Sequence, residues 1–403
     1  MAGTPTSVSG ARLVSNINSA DIVKNVAPVV LMLQDDRKSL MTYLSGLGTR
    51  DVDNSRFDWF EDELLPNRGT TGASAASAAS SATADLDLSG QATTVYLKQD
   101  DTIHFPENGE ICRVATTPSN MSAVNVYRNR TGLATGTIAA GSLWIKTGDA
   151  RAGLSRLFDS SGNLQAITVN NASAYNYTQT FREPFGMSRR EMKTKLYSGK
   201  DEATQKAKSL MQHCENIEHA FWYGRRLDEG DERTMTGGAL SFLLSGNTEV
   251  IPTLTEEEFD DFVRRITRYG NRRKRVLFAS RFVATKISAW ARGNQRVSET
   301  GRTIKYGVHV DAYRTGGGTD IEIITADALE GLPGSTTNGV YDGYAVLMEM
   351  NDKKKVVFGG DDMKYAEGVQ FKDMDGKVNA YLSDVGYQPG DARKDGLITG
   401  ITG

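Results

Sequence analysis

Proline, cysteine and histidine are scarce in this chain of 403 residues, with 9, 2 and 4 copies respectively. An average chain of this length carries about 20 prolines. Two cysteines, Cys112 and Cys214, cannot form a disulfide framework, and reduced thiols are the default. Four histidines leave little material for imidazole-based catalysis or metal ligation. No apolar run approaches the roughly 20 residues of a membrane span. The start, MAGTP, has neither the basic nor the apolar region of a secretory signal. With 47 basic and 50 acidic side chains, the net charge of −3 excludes a generally basic nucleic-acid coat. What is abundant is glycine: 41 residues, against about 28 in an average chain. Much glycine and little proline describe a backbone with many bends and few locked ones. Apolar residues make up 39%, enough for a sizeable core, and the length predicts two or three structural units.

The pattern along the chain is uneven. Ser19 or Asp21 can cap a helix carrying Ile22, Val23, Val26, Val30 and Leu33 on one broad face, with Pro28 forcing a break or a late start. Leu40, Met41 and Leu44 come next, and Gly46 and Gly48 stop any helix there. Residues 56–65 alternate in part through Phe57 and Trp59 and read as extended. The stretch GTTGASAASAASSATA at 69–84 is small and polar throughout and predicts a flexible connector. Between Gln91 and about Asn171, short apolar runs recur between Gly, Asn, Asp and Ser clusters: 93–96, 110–114, 123–127, 142–145 and 164–169. This spacing predicts a compact β unit, a small sandwich or barrel.

A helix is expected to open at Ser188, which has capping-box spacing to Glu191, and to kink or restart after Gly199. It runs to about Tyr223. Ala203, Ala207, Leu210, Met211, Cys214, Ile217 and Phe221 recur at steps of three and four, placing them on one face. Gly224 stands at the expected C-terminal cap. Thr255, with Glu256, Glu257 and Glu258 directly after it, opens another helix with Phe259, Phe262, Val263 and Ile266 on its apolar side. A strand over 275–279 comes next, then a helix capped by Ser280 and mostly strands beyond 303. Asp375-Gly376 between 369–372 and 377–382 is a hairpin signal.

Catalytic motifs are thin. His213 and His219 lie about 240° apart around their helix and read as surface residues. His309 and Asp311 share a strand face, but no G-x-S-x-G turn accompanies them. There is no phosphate-loop pattern; RTGGGTD at 314–320 reads as a flexible turn. The basic run NRRKR at 271–275 is either a solvated loop or a contact for a phosphate backbone or an acidic neighbour. Sequons at Asn120, Asn129, Asn171 and Asn176 carry no weight without a secretory signal.

The order of these parts, with RFDWFEDELLP at 56–66, NVYRNRTG at 125–132, GSLWI at 141–145, NYTQTF at 176–181, ENIEHAFWYGR at 215–225, TGG at 236–238 and FAS at 278–280, resembles a major capsid protein of tailed bacteriophages with the Hong Kong 97-type fold, of the kind with an inserted β domain. The resemblance covers most of residues 20–390. It implies an α+β chain built as an N-terminal arm (1–50), an extended loop (51–187) with an inserted β domain at about 90–171, a spine helix (188–226), and peripheral and axial domains (227–403). It also implies a structural protein rather than an enzyme, with no cofactor and no metal. Such a chain self-assembles as hexamers and pentamers into an icosahedral or prolate head shell around the packaged phage genome, in the host bacterial cytoplasm.

Its implied partners are further copies of itself, a portal protein and packaged double-stranded DNA held without sequence preference; a decoration protein stays open, and no membrane is involved. Because the arm starts within about twenty residues of Met1, a separate scaffolding protein is expected. Ile22, Val26, Val30 and Trp59 are the expected intersubunit contacts, and Gly72, Gly199, Gly316, Gly317 and Gly318 the expected hinges. No lysine–asparagine cross-link is expected. Two other readings stand beside this one. Another virion surface or tail protein, or a carbohydrate-binding module, accounts for the β unit but not for the long helix and the mixed helix-and-strand region after it. A hydrolase using His309 and Asp311 is the third.

Overall fold

The computed structural model describes residues 39–62, 66–75, 83–90, 97–128, 130, 136–151, 171–194, 201–243, 247–293, 312–330 and 341–402. The expected arm contacts Ile22, Val26 and Val30, the expected hinge Gly199, and His309 and Asp311 lie outside them, as do the runs 93–96 and 164–169. Two compact units divide the chain: one is the chain up to Trp59 and from Ala174 on, the other is Phe60–Ser173.

The larger unit opens with α1 (Ser39–Leu47), β1 (Thr49–Val52) and β2 (Arg56–Glu61). The smaller unit contributes β3 (Arg68–Thr70), β4 (Thr83–Leu86), β5 (Asp101–Phe105), β6 (Glu110–Val114), β7 (Val124–Tyr127) and β8 (Leu143–Asp149). These six form one sheet in the order β3-β8-β5-β6-β7-β4. Gly72 N donates to Asp87 O at 3.0 Å and Gly90 N to Thr70 O at 3.2 Å. These bonds join the two outer strands and close the sheet into a small barrel. Strict alternation puts Ile103, Phe105, Cys112, Val114, Val124 and Val126 inside with Trp144 and Leu97. The small-residue stretch at 69–84 thus supplies strand residues at both of its ends; its backbone pairs although its side chains have little to bury.

Within the barrel, Arg128 and Glu110 are fully buried and meet as a fork, Nε to Oε1 at 2.8 Å and a terminal nitrogen to Oε2 at 2.6 Å. Arg128 also donates to Gly136 O at 2.8 Å. The Glu110 bond holds the guanidinium pKa above its ordinary value.

Returning to the larger unit, the chain forms β9 (Ala172–Tyr177), which pairs with β2, then β10 (Gln179–Ser188), α2 (Arg189–Lys193) and α3 (Asp201–Tyr223). Next come β11 (Leu227–Asp228), β12 (Thr234–Met235), α4 (Ala239–Phe242), β13 (Thr248–Val250), α5 (Glu256–Ile266), β14 (Lys274–Ala279) and α6 (Arg281–Gly293). The remainder is β15 (Ala312–Arg314), β16 (Asp320–Thr325), β17 (Ala345–Met348), β18 (Lys354–Phe358), β19 (Lys364–Ala366), β20 (Gly376–Gln388) and β21 (Gly396–Thr399).

One sheet runs β1-β18-β20-β10, with β19 also on β20. β10 and β20 pair antiparallel over ten residues, from Gln179 opposite Val385 to Ser188 opposite Gly376. Pro184 is tolerated because β10 is an edge strand. The second sheet is mixed, β13-β21-β17-β14-β16-β15. Its alternating residues serve two cores. Leu277, Ala279, Ala345 and Leu347 pack against Phe259, Phe262, Val263 and Ile266 of α5 and Val283 and Ile287 of α6. Val276, Phe278, Val346 and Met348 belong to the cluster of α1 and α3. The sheet is therefore covered by helices on both faces.

Three local expectations change. The Ser188 cap forms, with Ser188 Oγ accepting from Glu191 N, but it opens the five-residue α2. α3 buries Cys214, Ile217 and Phe221, while Ala203 and Ala207 are exposed, so the apolar stripe is used only in its C-terminal half. The strand facing the start of β20 is β19 at Lys364–Ala366, with Tyr365 opposite Tyr381, rather than 369–372. A nine-residue connection therefore replaces the two-residue turn, and Val369 N still reaches Val378 O at 2.9 Å.

Candidate functional site

Among the described residues no group of three or more His, Cys, Asp or Glu side chains could hold a metal ion. His213, read from sequence as a surface residue, is buried at 1% exposure. Its Nε2 meets Ser383 Oγ at 2.8 Å, and Phe181 and Tyr381 flank the ring. Burial pushes its pKa down, only partly offset by Asp362. His219 is exposed and lies beside Tyr223.

A polar recess in the larger unit holds about 700 Å³ and is lined by Asp53, Arg182, Asp231, Glu232 and Asp384 among others. Asp231 and Glu232 have φ of 49° and 61° at the tip of the β11–β12 hairpin. The wall of the recess carries carboxylates and guanidinium groups, and Thr180 Oγ1 donates to Asp384 Oδ2 there at 3.1 Å.

The well-organised polar groups are anchors. Glu218 has no exposed surface and accepts from Leu40 N at 2.9 Å, Met41 N at 2.6 Å and Trp222 Nε1 at 2.8 Å. The first two are amides of the opening turn of α1, which lack helical partners, and a carboxylate there also meets the positive end of the dipole. Glu218 therefore fastens α1 onto α3. It lies four residues after Cys214 and four before Trp222, on the buried stripe; that helical spacing was the available signal in the sequence.

Asn176 is a second anchor, also buried. Its Nδ2 donates to Gly237 O at 3.0 Å and Tyr387 O at 2.6 Å, while its Oδ1 accepts from Gly237 N at 2.8 Å. It joins β9, the 236–238 turn and β20. Gly224 lies against the same turn: a Cβ there would sit 2.3 Å from Thr236 O and 2.4 Å from Ala220 O. Close backbone approach, not a left-handed cap, explains this glycine.

A third anchor is a buried set of two cations and two anions. Arg275 pairs with Glu349 at 3.0 Å and Lys353 with Asp395 at 2.6 Å, and Glu349 N donates to Asp395 Oδ1 at 3.0 Å. Burial lowers the Arg275 pKa and raises that of Asp395, since each charged form is desolvated. Arg275 thus leaves the NRRKR run for the interior, and the other four residues of the run stay exposed.

The expected contact and hinge residues fall differently. Trp59 is 7% exposed, packed between Phe57 at 6.2 Å and Phe242 at 6.1 Å, so its own chain covers it. Its neighbour Phe60, on the opposite face of β2, is 75% exposed. Gly72 is exposed, yet a Cβ there would meet the Asp87 carboxylate at 2.6 Å, which makes it a position of close approach rather than an open hinge. Gly316, Gly317 and Gly318 form the β15–β16 turn. Gly316 N donates to Asp260 at 3.1 Å and Gly318 N to Thr315 O at 2.9 Å; Gly318 alone has left-handed φ, +81°.

Anchored elements, a closed barrel and exposed aromatic and apolar side chains define a structural chain whose work is done at its surfaces. A family model described as SU10 major capsid protein matches residues 7–402, and the chain belongs to that family. It is a structural shell protein of the virion capsid. Among solved structures, it is similar at 10% identity to a chain in the capsid of a native GTA particle, covering 96% of this chain and 98% of that one with a TM-score of 0.48. A capsid chain of cyanophage P-SCSP1u is 10% identical, with 96% of each covered and a TM-score of 0.46. A chain of Mycobacterium phage Adephagia is 8% identical, with 94% and 95% covered and a TM-score of 0.46. No curated protein matches the chain.

Proposed function

We propose that the chain assembles with copies of itself, as hexamers and pentamers, into a closed icosahedral or prolate head around packaged double-stranded DNA, with the layout of the Hong Kong 97-type fold. The family match over residues 7–402 carries this reading. In this reading α3 is the spine, the 60–173 unit sits in the extended loop, and residues 1–50 form an arm whose Ile22, Val26 and Val30 are buried on neighbouring subunits. The exposed Phe60 takes the contact role expected of Trp59. A scaffolding protein, a portal and assembly in the host cytoplasm belong to the same proposal. Bending between non-equivalent positions is assigned to Gly199 and the Gly316–Gly318 turn.

Electron microscopy of the purified, concentrated chain co-expressed with its scaffolding protein tests the proposal. Closed polyhedral shells built of five- and six-fold rings are expected. Discrete monomers under all conditions would sink it.

A further inference from the structure

Residues 262–298 contain eleven lysines and arginines and no aspartate or glutamate, in a chain whose net charge is −3. Within the larger unit its residues up to Gly293 form the end of α5, the loop to β14, β14 itself and α6. Several of its cations are neutralised: Arg264 by Asp261 at 3.1 Å, Arg265 by Glu249 at 2.7 Å, Lys274 by Glu322 at 3.7 Å, Arg275 by Glu349, and Arg281 by Asp327 and Glu330. Arg268, Arg272 and Arg273 are exposed, and among the described residues no carboxylate lies within ion-pair distance of them.

The loop presenting these three is pinned by several backbone hydrogen bonds. The Arg275 guanidinium closes it by donating to Tyr269 O. Gly270 turns it with φ of +71°, where a Cβ would collide with Glu349. Asn271 N donates to Glu349 Oε2 at 3.0 Å, and Asn271 Oδ1 accepts from Arg273 N at 2.9 Å. Arg272 O accepts from Thr319 Oγ1 at 2.9 Å and Arg273 O from Asp320 N at 2.7 Å. A loop that only needed solvation would not require such fixing. A backbone fixed in advance lowers the part of the ordering cost that the loop itself would pay on meeting a ligand.

We propose that Arg268, Arg272 and Arg273 form a phosphate-backbone contact for double-stranded DNA, a deepening that rests on the shell reading above. Guanidinium groups match phosphate geometry with paired N–H donors. The loop lacks the apolar centre that a protein interface uses, Tyr269 being its one partly exposed large side chain. Nothing in it reads base edges, so the contact is independent of sequence and sensitive to salt.

The test uses full-length, unassembled chain and a fluorescently labelled random-sequence DNA duplex, with anisotropy read between 50 and 200 mM salt. Wild type is expected to bind, and R268E/R272E/R273E to weaken binding more than tenfold at the lowest salt. The slope of log affinity against log salt should become shallower by about 2–3, since each lost phosphate contact contributes about 0.9. The charge-keeping variant R268K/R272K/R273K, which shares any packing loss, should retain most of the binding. Unchanged affinity and slope in the glutamate variant would overturn the proposal. So would a variant that binds DNA normally yet no longer forms shells, because the loop would then dock an acidic surface of another copy. Microscopy of wild-type shells separates the two levels: if those fail to form, the shell reading falls while the anisotropy result still decides the loop.

Discussion

A carboxylate without exposed surface is costly unless donors surround it, and Glu218 accepts from Trp222 Nε1 and from two amides of the first turn of α1. In E218Q one acceptor oxygen becomes an NH2 group facing a backbone N–H. The expected loss is about 2–3 kcal/mol, the cost of leaving buried polar groups unmatched, and limited proteolysis should cut sooner around residues 39–47. An unchanged melting temperature and cleavage pattern would remove the anchor role. His213 makes a prediction with a sign. Its folded pKa lies below the ordinary 6.5 because burial disfavours the imidazolium. Below about pH 6.5 the unfolded chain therefore binds more protons than the folded one, and stability falls as pH drops toward the folded pKa. Above that range His213 contributes no pH dependence. Asp362 acts to raise its pKa and Lys355 to lower it, each less than burial does. H213Q should flatten the pH 5–6.5 limb of the melting curve; an identical limb in the variant would place the titration elsewhere.

Among elements, α5 was the most legible from sequence, because all of its determinants are local. Thr255 accepts from Glu258 N while Glu258 reaches back to Thr255 N, and Phe259, Phe262, Val263 and Ile266 are all buried. T255A should cost about 1 kcal/mol, the usual worth of such a cap, read as a drop in the denaturation midpoint; no drop would mean the box is redundant. The long helix was legible in its existence and in the burial of Cys214, Ile217 and Phe221. The disposition of Ala203 and Ala207 was not, since burial there depends on the elements that pack over the helix, and periodicity cannot supply that. The Asp375-Gly376 hairpin failed for a related reason. Turn chemistry scores two-residue loops well, but Tyr365 gains aromatic contact with Tyr381 and Phe185 by pairing earlier in the chain. The buried pairs Arg128–Glu110 and Arg275–Glu349 were invisible because charged residues read as surface until a partner from a distant strand is known. Phe57 and Trp59 were legible as alternating residues of an extended segment; that the chain itself covers Trp59 needed α4, whose Phe242 packs against it.

At the scale of the whole molecule, the β10–β20 pair ends in an exposed apolar tip. Val369, Phe371 and Met374 are 52%, 83% and 55% exposed on the connection from β19. The Arg189–Asp375 ion pair at 2.8 Å brings α2, with its exposed Met192, to the same end. Several exposed apolar side chains at one end of an element mark an interaction site more often than scattered ones do. The occupant a shell subunit meets most often is another copy. Burying one phenylalanine contributes about 2 kcal/mol, too little to hold two chains together against the cost of association. A contact between copies at this tip would repeat with each added subunit, so a small term per subunit would be enough to separate assembled shells from free chains. F371D should therefore leave the melting temperature of the unassembled chain unchanged, because a side chain so exposed loses no intramolecular packing. The same variant should lower the yield of shells in sedimentation by an order of magnitude. Normal shell yield from F371D would mean that the tip faces solvent after assembly, and a fall in the monomer's own melting temperature would mean that the tip packs within the chain.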